Sequence, residues 1–345
     1  MPRLKLIIAT LSLLFVTLAC RAATNLIFPD TPTPAPSPTP TQVPNTPIPT
    51  LPQPTEVVAF EATCPLLLTD IMDAALNYDP DLMEGEIKEY LVVYTIEDDR
   101  LSKREDMIKS SQINEEQDAR ATHEFIWDYF AAIIPQEERD FVNEFSISSD
   151  GPSEILASVS HSNSPNFWAL DVDILDAGDT YNLTFTLMHE FGHLLTLNSE
   201  QVPPDRHVYF NPDNNSIYNE AVDKCPQYFP GEGCSNPDSY INQFFDRFWI
   251  HLYDEWQEID LIEDEDDYYD SLDDFYYTYQ DQFLTDYAPT SPEEDIAEAW
   301  SFFVLSPKPE LNSIANEKIH FFYEYPELVL LRENILNRIC EAFPQ

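Results

Sequence analysis

The chain has 345 residues, of which 63 are Asp or Glu and 17 are Lys or Arg, giving a formal net charge of −46. That field repels phosphate backbones and anionic headgroups, so it excludes nucleic-acid binding and electrostatic docking on a lipid surface, and it favours cationic partners. A hydrophobic content of 43% is enough for a large core, and 6 Gly leave no phosphate-cradling loop.

Arg3 and Lys5 precede an apolar run from Leu6 to Ala19 that ends at Cys20. A basic start, a short apolar stretch and a small residue are the layout of a secretory signal over residues 1–20. The run is too short to favour a mature transmembrane span. Cys20 after Ala19 resembles the lipobox of bacterial lipoproteins, although Thr17 and Leu18 stand where a lipobox has an aliphatic and then a small residue. The resemblance implies lipidation of Cys20 and a membrane contact made only through that anchor. Residues 21–58 form a linker dominated by Pro and Thr, typified by Thr31-Pro32-Thr33-Pro34. Such a tract runs extended at about 3.1 Å per residue and acts as a semi-rigid spacer. The expected location is extracellular, on the cell surface.

Residues 59–345 are expected to form one domain of α+β class: a small mixed sheet packed on a central helix, and a mainly helical C-terminal lobe. Tyr90–Ile96 reads as a strand, and Asn114–Ile134 as one long helix stopped by Pro135. Phe141–Ser148, Ile155–His161 and Phe167–Ile174 read as further strands. A helix follows over Asp179–Leu197, with Asp179-Thr180 offering the N-cap and Leu183, Leu187, Phe191 and Leu194 at helical spacing. Tyr240–Trp256 has the period of a buried helix, and further helices are expected from Ser271, Pro292, Ser313 and Pro326. The acidic run from Asp260 to Asp274 lacks the spacing and central Gly of a calcium loop and reads as a solvated segment. Cys225 and Cys234 flank a short Pro/Gly loop that suits a local disulfide, and Cys64 and Cys340 are placed to tie the ends of the domain. Four cysteines nonetheless permit three pairings.

His189-Glu190-Phe191-Gly192-His193 is an HExxH pentad. Residues four apart share a helix face, so both imidazoles can reach one metal ion, and Glu190 projects beside it as a proton acceptor. A catalytic zinc needs a third protein ligand. The extended HExxHxxGxxH motif of metzincins is excluded by Thr196 and Ser199, which leaves a downstream Glu. Two segments offer one. Asn219-Glu220-Ala221-Val222-Asp223 superficially resembles the NExxxD helix of thermolysin-like enzymes, but its acid falls one residue early and its surroundings look loop-like. In the second segment Ser291 is an N-cap, Pro292 occupies the first helical position, and Glu294 and Glu298 lie four apart on one side.

Thr285-Asp286-Tyr287, Glu294 and Ala297-Glu298-Ala299 resemble the distal motif of the anthrax lethal factor catalytic domain and related gluzincin peptidases. Asp295, where that family usually has an aromatic, and the acidic insertion before Tyr287 depart from it. The resemblance implies a zincin-like fold and a zinc ion held by His189, His193 and Glu294. It also implies Glu190 as general base, Tyr287 as donor to the oxyanion, and Glu298 as the acid that orients a ligand His. The function expected on these grounds is a secreted or lipid-anchored zinc endopeptidase acting on a peptide or protein. The alternatives are a non-catalytic surface lipoprotein on the same scaffold and a zinc hydrolase acting on a non-peptide amide such as a cell-wall crosslink.

Overall fold

The computed structural model describes residues 63–77, 88–107, 114–151 and 155–344. The signal-like segment, Cys20 and the Pro/Thr linker lie outside the described residues.

Five strands form one mixed sheet. They are β1 (Glu89–Glu97), β2 (Arg100–Asp106), β3 (Val142–Ser149), β4 (Ala157–His161) and β5 (Trp168–Asp173), in the order β2-β1-β3-β5-β4. Only β3 and β5 run parallel. Leu91, Val92 and Tyr94 of β1 are buried, as are Phe145 and Ile147 of β3 and Leu170 and Val172 of β5. The expected strands are therefore present with small shifts at their ends. Strand β2 was not expected, because Arg100-Leu101-Ser102-Lys103-Arg104-Glu105-Asp106 has no apolar alternation. It is an edge strand whose charges face solvent, a composition that blocks pairing with other chains. The turn that makes it is built by Asp98 and Asp99, both at positive φ (50° and 64°). Asp tolerates the left-handed region better than most residues, and two such residues match the twist of a tight hairpin. Arg139 fixes the turn by gripping the Asp99 carboxylate.

The helices are α1 (Pro65–Leu76), α2 (Arg120–Ile133), α3 (Thr180–Leu197), α4 (Asn215–Lys224), α5 (Tyr240–Phe244), α6 (Tyr253–Asp260), α7 (Glu265–Thr278), α8 (Pro292–Leu305), α9 (Ile314–Phe322) and α10 (Pro326–Ala342). Short single turns lie between some of them. The long helix expected over Asn114–Ile134 is broken at Ala119: residues Asn114–Asp118 form a separate short helix ahead of α2. Side chains capture the carbonyls that would have continued it. Arg104 Nη2 donates to Gln117 O at 2.7 Å, and His123 Nε2 lies 2.8 Å from Glu116 O. The helix expected over Tyr240–Trp256 is also interrupted, by a π turn at Phe245–Trp249. Helix α7 begins at Glu265 rather than Ser271, because the Asp264 side chain caps it by accepting from Asp267 N. Three acids in its first turn complement the helix dipole, so much of the acidic run is helical. Helix α1 was not foreseen, and the Asn219–Asp223 segment lies within helix α4, with Pro212, Asn214 and Pro226 outside it as expected of loop-like surroundings.

Helix α3 packs against α1, α8 and the edge strand β4. The aromatic C-terminal lobe assembles around α8, with Trp249, Trp300, Phe303 and Phe322 buried in its core. Two disulfides form, Cys64–Cys340 across 276 positions and Cys225–Cys234 across 9. They fit an oxidising compartment outside the cytoplasm. No helix among the described residues is long and apolar enough to cross a membrane.

Cross-linking restricts the unfolded chain more when the loop is longer. Replacing Cys64 and Cys340 with Ser is predicted to lower unfolding free energy by about 5 kcal/mol, and replacing Cys225 and Cys234 by about 3 kcal/mol. Denaturant midpoints measured on the oxidised proteins check the order.

Candidate metal centre

The site forms where α3 and α8 cross. Asp179 caps α3 by accepting from Tyr181 N at 2.9 Å, and Ser291 caps α8 by accepting from Glu294 N at 3.1 Å. Gly192, inside the pentad, permits the close approach. A Cβ placed there would meet Ala297 Cα at 3.0 Å and Trp300 Cδ1 at 3.1 Å. With hydrogen at Gly192 and a methyl at Ala297, the two backbones come near enough for short carboxylates on α8 to reach imidazoles on α3.

Three donor atoms converge. His189 Nε2 lies 2.9 Å from Glu294 Oε2 and 3.1 Å from His193 Nε2, and His193 Nε2 lies 3.3 Å from Glu294 Oε2. Ligand atoms held about 2.0–2.1 Å from a tetrahedral ion are about 3.3 Å apart, so this triangle fits one small ion with a slight expansion. His189, His193 and Glu294 thus form a group able to hold a metal ion, with both His buried. Two imidazoles and one carboxylate suit a transition metal better than calcium or magnesium, which take oxygen ligands.

The second nitrogen of His189 is also committed. Nδ1 donates to Glu298 Oε1 at 3.1 Å, which orients the ring and leaves Nε2 for a ligand role. Glu298 is itself held: Thr285 Oγ1 donates to its Oε2 at 2.8 Å, and Ala288 N donates to Thr285 Oγ1 at 3.2 Å. Burial works against a charged His189, yet the Glu294 and Glu298 carboxylates on its two nitrogens raise its pKa well above the usual imidazole value. Burial also works against a charged Glu294, but the His193 and His189 rings hold its carboxyl well below the usual carboxylate range. Glu190 is buried beside them, and its pKa is raised by that burial, with Glu294 adding to the effect and the two His opposing it.

Tyr287 lies over the site, its ring centre 5.9 Å from that of His189 and its surface 51% exposed. Desolvation at the hydroxyl end of this half-exposed side chain, and after it the nearby Glu294, Glu190 and Glu298 carboxylates, raise its pKa above the usual value. Glu220, the other candidate ligand, is not brought to this site. It sits on the exposed helix α4, paired with Lys224 at 2.5 Å.

Several participants were not anticipated. Thr285 stands out in the sequence only as part of Thr285-Asp286-Tyr287. Tyr228, inside the Cys225–Cys234 loop, donates its hydroxyl to Glu293 Oε1 at 2.8 Å and stacks on Phe245 at 4.1 Å, so the loop docks beside the start of α8. Asp295, noted only as a departure from a motif, accepts from Trp249 Nε1 and pairs with Lys318, both acid and base fully buried. Burial pushes Asp295 up to about 6 against the opposing pull of Lys318. Tyr228 and Lys318 lie far from the pentad in sequence and carry no local signal.

No protein-family model, no curated protein and no solved structure matches this chain.

Two outcomes are predicted from this geometry. Glu294→Ala abolishes tight metal binding in a chelator-competition titration, while Glu220→Ala leaves it unchanged. Gly192→Ala, which helix propensity alone would make stabilising by about 1 kcal/mol, lowers stability by about 1–2 kcal/mol in denaturant unfolding, because the added methyl pushes α8 off α3.

Proposed function

We propose that this chain is a zinc-dependent endopeptidase of gluzincin type, exported and held at the cell surface by a lipid on Cys20. One observation carries the reading: His189, His193 and Glu294 converge within a single ion's reach, while Glu190 lies beside them and Glu298 orients His189. A structural site of this size would use four protein ligands, whereas three leave a coordination position open for chemistry. Glu190 and Tyr287, both close to the imidazoles, would be the groups a hydrolase needs there.

Bound zinc supplies a Lewis acid that lowers the pKa of water towards about 7 and polarises a carbonyl. The remaining work falls to the chain's own residues. Glu190, with its carboxyl raised by burial, accepts a proton from the attacking water and delivers it to the leaving amine. Tyr287 keeps its proton and donates a hydrogen bond to the developing oxyanion. Glu298, fixed by Thr285, holds the His189 ring with Nδ1–H facing the carboxylate. Strand β4 is the edge of the sheet and packs on α3, so an extended peptide paired to it would lie along the pentad helix. The net charge of −46 favours substrates rich in Lys and Arg.

Turnover of a diverse peptide library by the zinc-loaded protein tests the reading. Glu190→Gln is predicted to retain one zinc per chain and lose about 10²–10⁴-fold in kcat. Tyr287→Phe is predicted to lose about 10²-fold in kcat with little change in zinc affinity. Hydrolysis that persists in Glu190→Gln would refute the mechanism, and cleavage of wall fragments but not peptides would move the substrate to a non-peptide amide.

A further inference from the structure

Asp295 immediately follows Glu294 on α8 and points to another side of the helix, into the C-terminal lobe. Its surface is fully covered, and so is that of Lys318 on α9. Asp295 Oδ2 accepts a hydrogen bond from Trp249 Nε1 at 2.7 Å and forms an ion pair with Lys318 Nζ 2.6 Å away, while Asp295 Oδ1 is buried without a hydrogen-bond partner. Trp249 comes from the π turn after α5, so three separate elements meet on one carboxylate oxygen. The Lys318 ammonium also lies 4.2 Å from the centre of the Phe283 ring, with the Phe244 and Phe248 rings 5.9 and 6.0 Å away.

A fully buried ion pair is a poor way to stabilise a fold. Removing both charges from water costs several kcal/mol per ion, and apolar residues of similar volume often do as well or better. Such a pair differs from an apolar contact in being directional. Apolar packing tolerates a rotation of α8 by a few degrees, whereas the Trp249–Asp295 hydrogen bond at 2.7 Å does not, and the Lys318 charge 2.6 Å away holds the carboxylate at the same place. Glu294 is the adjacent residue on the same turn, and its carboxylate must meet two imidazoles at 2.9 and 3.3 Å. A small rotation at Asp295 therefore becomes a displacement at Glu294 comparable with the tolerance of a metal–ligand bond.

We infer that Lys318, Asp295 and Trp249 are positioning residues for the metal site: they lock the rotation of α8 so that Glu294, and Glu298 one turn on, present their carboxylates to His189 and His193. The assignment rests on reading His189, His193 and Glu294 as a zinc site. It takes Asp295 and Lys318 out of the category of fold stabilisers and predicts that metal affinity and stability separate when the pair is replaced.

The test uses the full chain and zinc itself as the probe, titrated against a chromophoric chelator, with denaturant midpoints and the visible spectrum of the cobalt(II)-substituted protein recorded in parallel. In the double variant Asp295→Leu/Lys318→Met, the midpoint is expected to stay at or above that of the wild type. Its zinc dissociation constant is expected to rise about ten-fold or more, the scale seen when groups that orient a metal ligand are lost, and the cobalt bands are expected to shift. A folded double variant with unchanged zinc affinity and an unchanged cobalt spectrum would overturn the inference. If the double variant does not fold, Trp249→Phe decides, because it keeps an aromatic side chain and the ion pair while removing the indole N–H together with part of the ring volume. A weaker zinc affinity at a near-normal midpoint supports the assignment, and an unchanged affinity overturns it. A wild-type chain that binds no zinc would defeat the reading of the site itself, whereas a wild type that binds zinc beside variants that bind it equally would defeat only the positioning role.

Discussion

The candidate site depends on the distance between two helix backbones. Side chains of ordinary size keep packed helices about 8–10 Å apart. At the α3–α8 crossing, Gly192 has no side chain and Ala297 only a methyl, so the backbones close in until a Cβ at Gly192 would lie 3.0 Å from Ala297 Cα, tighter than most real contacts. Glutamate is a short ligand carrier. If α8 stood farther off, Glu294 could not reach two imidazoles at about 3 Å while Glu298, one turn on, reached the outer nitrogen of the first. The pentad fixes the spacing of the imidazoles along α3. Gly192 and Ala297 fix the spacing between helices, and neither suffices without the other.

The second constraint is charge. Helix α8 carries Glu293, Glu294, Asp295 and Glu298 within six positions, and most of that stretch is buried. Each acid has its own compensation. Glu293 accepts from Tyr228, Asp295 accepts from Trp249 and is paired with the Lys318 charge, Glu298 accepts from Thr285 and His189, and Glu294 faces the two imidazoles. Only the Glu294 cluster keeps donor atoms directed at a common point, which is why it alone among the described residues forms a group able to hold a metal. The other acids are held by protein donors and so form a rigid surround.

Much of the site was legible in the sequence because its core is local. HExxH spacing states its own geometry on a helix, and Ser291-Pro292 marks the start of α8 without ambiguity. The strands that line up with β1, β3, β4 and β5 were legible from apolar runs, and the pairing of cysteines agreed with the loops they flank. The failures share a physical cause, which is that long-range contacts override local pattern. Arg104 and His123 take the carbonyls that would have carried a helix through Ala119. A pair of aspartates in left-handed geometry makes the β1–β2 turn, and the strand it creates is charged because it is an edge. Tyr228 and Lys318 act on α8 from segments with no metal-site pattern of their own. Asp295 was visible only as a misfit with a known motif, and the misfit proved to be the one position where α8 holds a buried cation.

The proposed site holds one zinc ion on His189, His193 and Glu294, with a coordination position left open. X-ray absorption at the zinc edge on protein loaded with one equivalent tests it most directly. Two His and one Glu as ligands predict a first shell of nitrogen and oxygen only, at about 2.0–2.1 Å, with the outer-shell scattering of two imidazoles and no sulfur. Binding of no zinc, a shell containing sulfur, or scattering from a single imidazole would contradict it.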